Sequence, residues 1–264
     1  WAAQIRRGET ALEPSAGLGG LAVFAEGAGA KIVINELSPR RATVLKDLFP
    51  GARIFTEDAT QINNVLPANV KPTVVVMNPP FSATAGRIEG KRSTKEGLSH
   101  IDQALKRLEP GGRAVILMGE GMALDLPGQR EWWNKTRAEY NVRANIGIEG
   151  SAYMKYGTNF GVQLIVIDKT GPTTGEIVVA KDAAPDDVPA LLEGLRDRPE
   201  SGTASEQPPA QPSGGQVVAG KPAEQGPVER PGPGAMGAGE RPGDKAPSTG
   251  VSDVTGGTPT AARR

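Results

Sequence analysis

The 264-residue chain has no cysteine. Disulfides, thiolate nucleophiles and cysteine metal sites are therefore excluded. It has one histidine, His100, so a histidine-rich metal site is excluded as well. No apolar run approaches the ~18 residues that a membrane-spanning helix needs. Neither sign of charge dominates: 30 basic residues face 30 acidic ones. Any nucleic-acid surface would have to be local rather than a property of the whole chain. No signal peptide is visible, and a cytoplasmic protein is the expectation. The chain opens on Trp1, not Met, with a strand almost at once, which suggests a piece of a longer protein.

Large apolar residues are also missing from one region. Between Pro199 and Arg264 there are 11 prolines and 13 glycines, and no Leu, Ile, Phe, Tyr or Trp. Such a segment cannot bury enough apolar surface to offset its chain entropy. Residues 197–264 are expected to be a disordered Pro/Gly-rich linker, and residues 1–196 the folded domain.

Within 1–196, strand and helix patterns alternate. Strands are expected at 10–14, 31–37, 52–59, 72–78 and 113–119. Helices are expected at 18–28, 38–49, 93–112 and 130–140, the second opening with Ser38 as N-cap and Pro39 at the first helical position. Residues 141–150 and 162–169 form a last strand pair without a crossover helix. The pattern predicts an α/β fold, Rossmann-like and doubly wound. Its seven-stranded sheet is mostly parallel, with an antiparallel hairpin at one edge.

Open parallel sheets bind ligands at the carboxyl ends of their strands. After the first strand comes Glu13-Pro14-Ser15-Ala16-Gly17-Leu18-Gly19-Gly20, whose small residues permit close backbone approach. After the second comes Glu36, 19 residues beyond Gly17, about the spacing of the carboxylate that takes ribose hydroxyls in dinucleotide folds. After the third comes Asp58, a possible acceptor for an adenine amino group. After the fourth, a run of Val, Val, Val and Met ends at Asn78-Pro79-Pro80-Phe81. Singly each has a plainer explanation: a solvated strand end for Glu36, a turn or cap for Asp58 and Asn78, a core residue for Phe81. Together they recur in order at four strand ends. The loop has neither Gly-x-Gly-x-x-Gly nor Gly-Lys-Ser/Thr, so a nucleoside ligand without a pyrophosphate fits best.

"LEPSAGLG", "NELSPRR", "TEDA", "NPPF" and "KYGTNFGVQLIVIDK" together resemble S-adenosylmethionine-dependent amino methyltransferases. The order is that of the gamma-type adenine-N6 DNA methyltransferases. More narrowly, residues 1–170 resemble the methyltransferase domain of plasmid and phage methylase–helicase fusions, with a strawberry-notch-type helicase downstream. The resemblance implies a class I methyltransferase fold, S-adenosylmethionine as cofactor, DNA as partner and no metal. It implies cofactor contacts from Glu13, Pro14, Ser15, Ala16, Gly17, Gly19, Glu36, Leu37, Asp58, Ala59 and Asn78. Catalysis falls to Asn78, Pro79, Pro80 and Phe81, and base binding to Phe81, Tyr156 and Phe160.

The chemistry fits those residue types. The lone pair of adenine's exocyclic amine is delocalised into the ring. Two acceptors on its protons, Asn78 Oδ1 and the Pro79 carbonyl, would push the nitrogen towards tetrahedral and free that pair. The prolines fix the carbonyl's aim. Phe81 offers a ring on which an extruded base can stack. Basic residues at 87, 91, 92 and 95 suit phosphate contacts or a solvated loop equally well. Cytosine-C5 methylation needs a thiolate and is excluded. An RNA base or a protein glutamine presents a similar planar amine, and a non-catalytic DNA- or cofactor-binding module is the other alternative. No target-recognition domain is visible in residues 1–196.

Overall fold

The computed structural model describes residues 1–80, 95–151, 154 and 160–198. Phe81, Tyr156, the basic residues at 87, 91 and 92, and the 199–264 part of the expected linker lie outside the described residues. Eight strands form one sheet: β1 (Thr10–Glu13), β2 (Lys31–Asn35), β3 (Arg53–Phe55), β4 (Val74–Met77), β5 (Arg113–Gly119), β6 (Asn141–Ile148), β7 (Val162–Asp168) and β8 (Val178–Ala183). Their order is β3-β2-β1-β4-β5-β7-β6-β8. Strands β3, β2, β1, β4 and β5 run parallel, and β7 is antiparallel to both β5 and β6. The doubly wound, mostly parallel architecture read from the sequence is the observed one. The strand order reverses between β1 and β4, so their carboxyl ends frame a crevice.

The helices are α1 (Ala22–Gly27), α2 (Pro39–Leu48), α3 (Ile62–Val65), α4 (Lys95–Arg107), α5 (Arg130–Glu139) and α6 (Val188–Leu191). Strand alternation splits the core into layers. Leu12, Val33, Val75 and Met77 join Ile101 and Leu105 of α4 and Trp133 of α5. Ala11, Ile32, Ile34 and Val74 face the other way, onto Ala22 and Ala25 of α1 and Leu45 of α2. Of the two neighbouring tryptophans, Trp133 is buried in the core, whereas half-buried Trp132 donates its Nε1–H to Asp102 at 2.8 Å. Ser38 caps α2 with Pro39 at its first position, as the sequence predicts.

Several bounds differ from expectation: β3 ends at Phe55 rather than 59 and α4 at Arg107 rather than 112, and two further differences have a clear physical cause. The helix expected from Leu18 starts only at Ala22, because Gly17 and Gly19 take positive φ (60° and 81°) and keep the chain out of helix. Gly19 also faces the ring of Phe49 so closely that a Cβ there would sit 2.5 Å from it. The second difference is β8, an eighth strand that pairs in parallel with β6 and covers what the sequence predicts to be the sheet's edge. Its residues alternate poorly, carry Lys181 and Asp182, and cross a register shift at Asp182 (φ 51°), so no period-2 signal survives.

At the amino end of β5, Arg113 and its cross-strand partner Asp168 are both fully buried. Arg113 Nε donates to Asp168 Oδ1 at 2.6 Å and Nη2 to Oδ2 at 2.9 Å, a two-pronged match. Arg143 adds a third donor to Oδ2 at 2.9 Å. Removing one member strands a buried charge. Asp168→Asn is expected to lower the unfolding free energy by about 3–5 kcal/mol in urea titrations. A loss below about 1 kcal/mol, the range of exposed pairs, would mean that the pair does not constrain the core.

Candidate functional site

The crevice at the β1/β4 switch is built around the loop from Pro14 to Leu21. The loop has no ladder of its own, so its backbone groups bond to buried side chains. Glu13, 3% exposed, turns beneath it and accepts from Ala22 N at 2.7 Å and from Leu21 N. Asn35, the last residue of β2 and 1% exposed, is the keystone. Its Nδ2 donates to the carbonyls of Pro14 and Glu57, both at 2.9 Å. Its Oδ1 accepts from Glu57 N at 2.9 Å, and its own carbonyl accepts from Ala16 N at 3.0 Å. One side chain therefore locks the glycine loop to the β3 end.

Glu36 follows directly and is 4% exposed. Its Oε2 accepts from Gly17 N at 2.8 Å. Its Oε1 accepts from Ser38 N and Arg41 Nε, each at 2.9 Å, and from Arg41 Nη2 at 2.5 Å. The 19-residue spacing from Gly17 is thus a direct contact, and the side chain is held at the crevice wall by four donors. Leu37 beside it is exposed. Asp58 is exposed and caps the short turn at 59–61, its Oδ1 accepting from Thr60 N and Thr60 Oγ1 at 2.8 Å each. The Thr60 hydroxyl, then its N–H, holds the Asp58 carboxyl below the ordinary range. Ala59 is buried behind it.

From the other side of the switch, β4 delivers Asn78 in an exposed position, followed by buried Pro79 and half-buried Pro80. The backbone of α4 comes close here: a Cβ on Gly97 would lie 2.8 Å from the Pro80 carbonyl. One turn further along α4, His100 Nδ1 sits 2.9 Å from Ser15 Oγ in the glycine loop. Burial pushes the imidazole's pKa down, opposed by the charges of Glu96 and Asp58. Beyond β5, Glu120 Oε1 accepts from Gly161 N at 2.7 Å and ties the start of β7 to the end of β5. Phe160, next to it, is 58% exposed.

The structure thus brings Pro14, Ser15, Ala16, Gly17, Gly19, Glu36, Asp58 and Asn78 to the carboxyl ends of β1 to β4. Glu13 lies below the loop as a brace, with its carboxylate already committed to backbone N–H groups. Three residues that organise the crevice have no signal in the sequence patterns: Asn35, His100 and Glu120. Only a polar Asn closing the apolar run of β2 hints at the first. Among the described residues no group of three or more His, Asp or Glu side chains could hold a metal ion, and no helix is long and apolar enough to cross a membrane.

No protein-family model matches the sequence, and no curated protein matches it significantly. Solved structures do match the fold. The type I restriction-modification methyltransferase subunit of Streptococcus thermophilus superposes with a TM-score of 0.58 at 13% identity, over 74% of this chain and 49% of that one. The M protein of the type I restriction enzyme EcoKI gives 0.54 at 13% identity, over 74% and 50%. A Listeria monocytogenes protein assigned to the class I S-adenosylmethionine-dependent methyltransferases gives 0.55 at 14% identity, over 74% and 64%. The chain spans about half the length of the two modification proteins. At these identities the likeness is one of fold: the sheet is that of the class I methyltransferases.

The Glu13 brace has a consequence for stability. Burial outweighs its two backbone donors and pushes its carboxyl from 4.5 up to about 7. Because the folded value is raised, the group's contribution to stability is full below pH 4.5 and is lost as pH rises through 7. Glu13→Gln stays neutral throughout. Its stability relative to wild type is expected to rise on the order of 3 kcal/mol between pH 4.5 and 8, read by denaturant unfolding. Parallel pH profiles for the two proteins would show that the carboxylate is ionised in the fold across that range.

Proposed function

We propose that this chain transfers a methyl group from S-adenosylmethionine to the exocyclic N6 amine of adenine in DNA. The observation that supports the reading is that Glu36, bonded to the Gly17 backbone, and Asn78 follow β2 and β4, the strands on either side of β1, at the carboxyl edge of the sheet. In this reading Glu36 is the nucleoside-binding carboxylate and Asn78 the amine-binding amide. The residues fit the cofactor: Glu36 is a buried acceptor for a ribose diol, and Asp58 an exposed acceptor for an adenine amino group. When bound, the cofactor supplies an electrophilic methyl on a cationic sulfur.

The chain's own contribution is positioning. Asn78 Oδ1 and the Pro79 carbonyl each accept one proton of the target amine, turning its lone pair out of the ring. Two rigid prolines keep that carbonyl aimed, and the α4 backbone at Gly97 lies against the next carbonyl, that of Pro80. Alkylation makes the amine cationic and strongly acidic, so its extra proton passes to water without a buried base. Phe81 and Tyr156, with Phe160, are the base-stacking residues of this reading. Residues 1–196 are its catalytic unit, and the linker follows beyond Asp197 and Arg198, which pair with Arg143 and Glu9 of the folded part. Target recognition belongs to a larger protein or assembly, of which a downstream helicase is one form that the sequence resemblance implies.

Unmethylated DNA incubated with labelled S-adenosylmethionine, then digested for nucleoside mass spectrometry, tests the reaction. Labelled N6-methyldeoxyadenosine is the expected product. Label only on RNA or on glutamine in a protein acceptor would overturn the choice of DNA. Asn78→Ala is expected to slow transfer at least 100-fold, roughly the loss of an aligned transition-state contact. Its affinity for S-adenosylmethionine should stay within about threefold of wild type, since ground-state binding is untouched. Glu36→Ala should do the reverse to affinity and raise Kd more than about tenfold, as a charge-assisted bond to each hydroxyl is lost. Equal loss of binding and transfer in Asn78→Ala would remove the role given to Asn78.

A further inference from the structure

His100 is the chain's one histidine and has no part in the chemistry above. It is 7% exposed, on the inward face of α4 beside Gly97, Ile101, Ala104 and Leu105. Its Nδ1 lies 2.9 Å from the Ser15 hydroxyl. The charged groups facing it are Glu96, on the preceding turn of α4, and Asp58, at the end of β3. Its neighbours in the glycine loop matter because Gly17 and Gly19 both hold positive φ. Such a loop has wide conformational freedom and depends on its tethers. Its tethers include Ala16 N to the Asn35 carbonyl, Asn35 Nδ2 to the Pro14 carbonyl, Gly17 N to Glu36, Leu21 N to Glu13, and Ser15 to His100. The first four attach the loop to β1, β2 and the residue after β2. Among these, the bond to His100 attaches it to α4.

The same helix meets the catalytic segment. Gly97 lies against the Pro80 carbonyl, where any Cβ would intrude to 2.8 Å. Gly97 and His100 are three residues apart and share a helix face. One turn of α4 therefore touches the end of β4 with one residue and the cofactor loop with the other. Resting on the methyltransferase reading, we propose that His100 is a positioning residue. Through Ser15 it fixes the glycine loop for the cofactor and ties that loop, by α4, to Asn78-Pro79-Pro80. A half-buried bond of this kind is stronger than one in water, and the neutral ring that burial favours can donate to or accept from a hydroxyl.

Because there is one histidine, its ring signals in 15N-labelled protein need no assignment. S-adenosylhomocysteine, which occupies the same site without reacting, is expected to shift them, and Ser15→Ala to shift them in the free protein. His100→Ala and Ser15→Ala should each weaken S-adenosylhomocysteine binding about tenfold, the worth of one buried hydrogen bond. The double variant should be no weaker than the weaker single, since both remove one bond. His100→Asn places a polar atom near the Nδ1 position and should recover affinity to within about threefold of wild type, with melting curves confirming that it folds. Multiplying effects in the double variant, wild-type affinity in His100→Ala, or no recovery in folded His100→Asn would overturn the proposal while the functional reading stands. Wild-type protein that binds no S-adenosylhomocysteine would sink both.

Discussion

The buried pairing of Arg113 with Asp168 decides how the two halves of the sheet meet. All seven residues of β7 are buried, so hydrophobicity alone barely penalises a strand slipped along β5. A slip by one residue would bring Arg113 opposite Ile167 or Lys169 and part it from Asp168, leaving the Arg113 charge unpaired in the core. That cost selects one register. From it follows the far end: with Arg113 opposite Asp168, Gly119 falls opposite Val162. Glu120 can then reach Gly161, and the segment leading into β7 is held beside the crevice. A contact at one pole of the sheet thus sets geometry at the other.

At the crevice itself the constraint is of another kind. The loop after β1 satisfies its backbone through Asn35, Glu36 and Glu13, three polar side chains that are each nearly inaccessible to water. Of these, Glu36 has the most donors. Its donors are unequal: Gly17 N and Ser38 N are fixed backbone, whereas the Arg41 side chain is 51% exposed. Water can replace Arg41 at little cost, because exposed ion pairs are weak. The carboxylate therefore keeps its orientation whether or not Arg41 stays.

Much of this is legible in the sequence because parallel strands are buried on both faces and read as unbroken apolar runs. β2, β4 and β5 stand out that way, β1 less so with only Ala11 and Leu12 apolar, and the residues directly after these strands fall at the crevice by topology alone. β8 does not, since an exposed, bulged edge strand carries no periodic signal. The start of α1 is masked because glycines that need positive φ are indistinguishable, in a string of letters, from glycines that merely tolerate helix. Asn35 and His100 escape for a deeper reason. Their roles lie in bonds to residues 14, 57 and 15, at separations of 21, 22 and 85 positions. Only the fold creates those distances.

The two ends of the sheet divide the work. At the amino end of β5, Arg113 also donates to the carbonyl of Leu195 at 2.9 Å, and Arg198 donates to those of Ala3 and Gln4 and pairs with Glu9. Guanidinium groups, always charged and rich in fixed donors, bind the first and last described segments to the core there. At the carboxyl ends, glycines, a serine, an asparagine and two prolines shape a crevice whose polar groups are few. The buried charged pairs therefore lie at the opposite end of the sheet from the glycine loop. That loop is free to be shaped by short polar contacts such as Ser15 with His100. Its side chains can therefore change what the crevice accepts without disturbing the strand register on which the crevice depends.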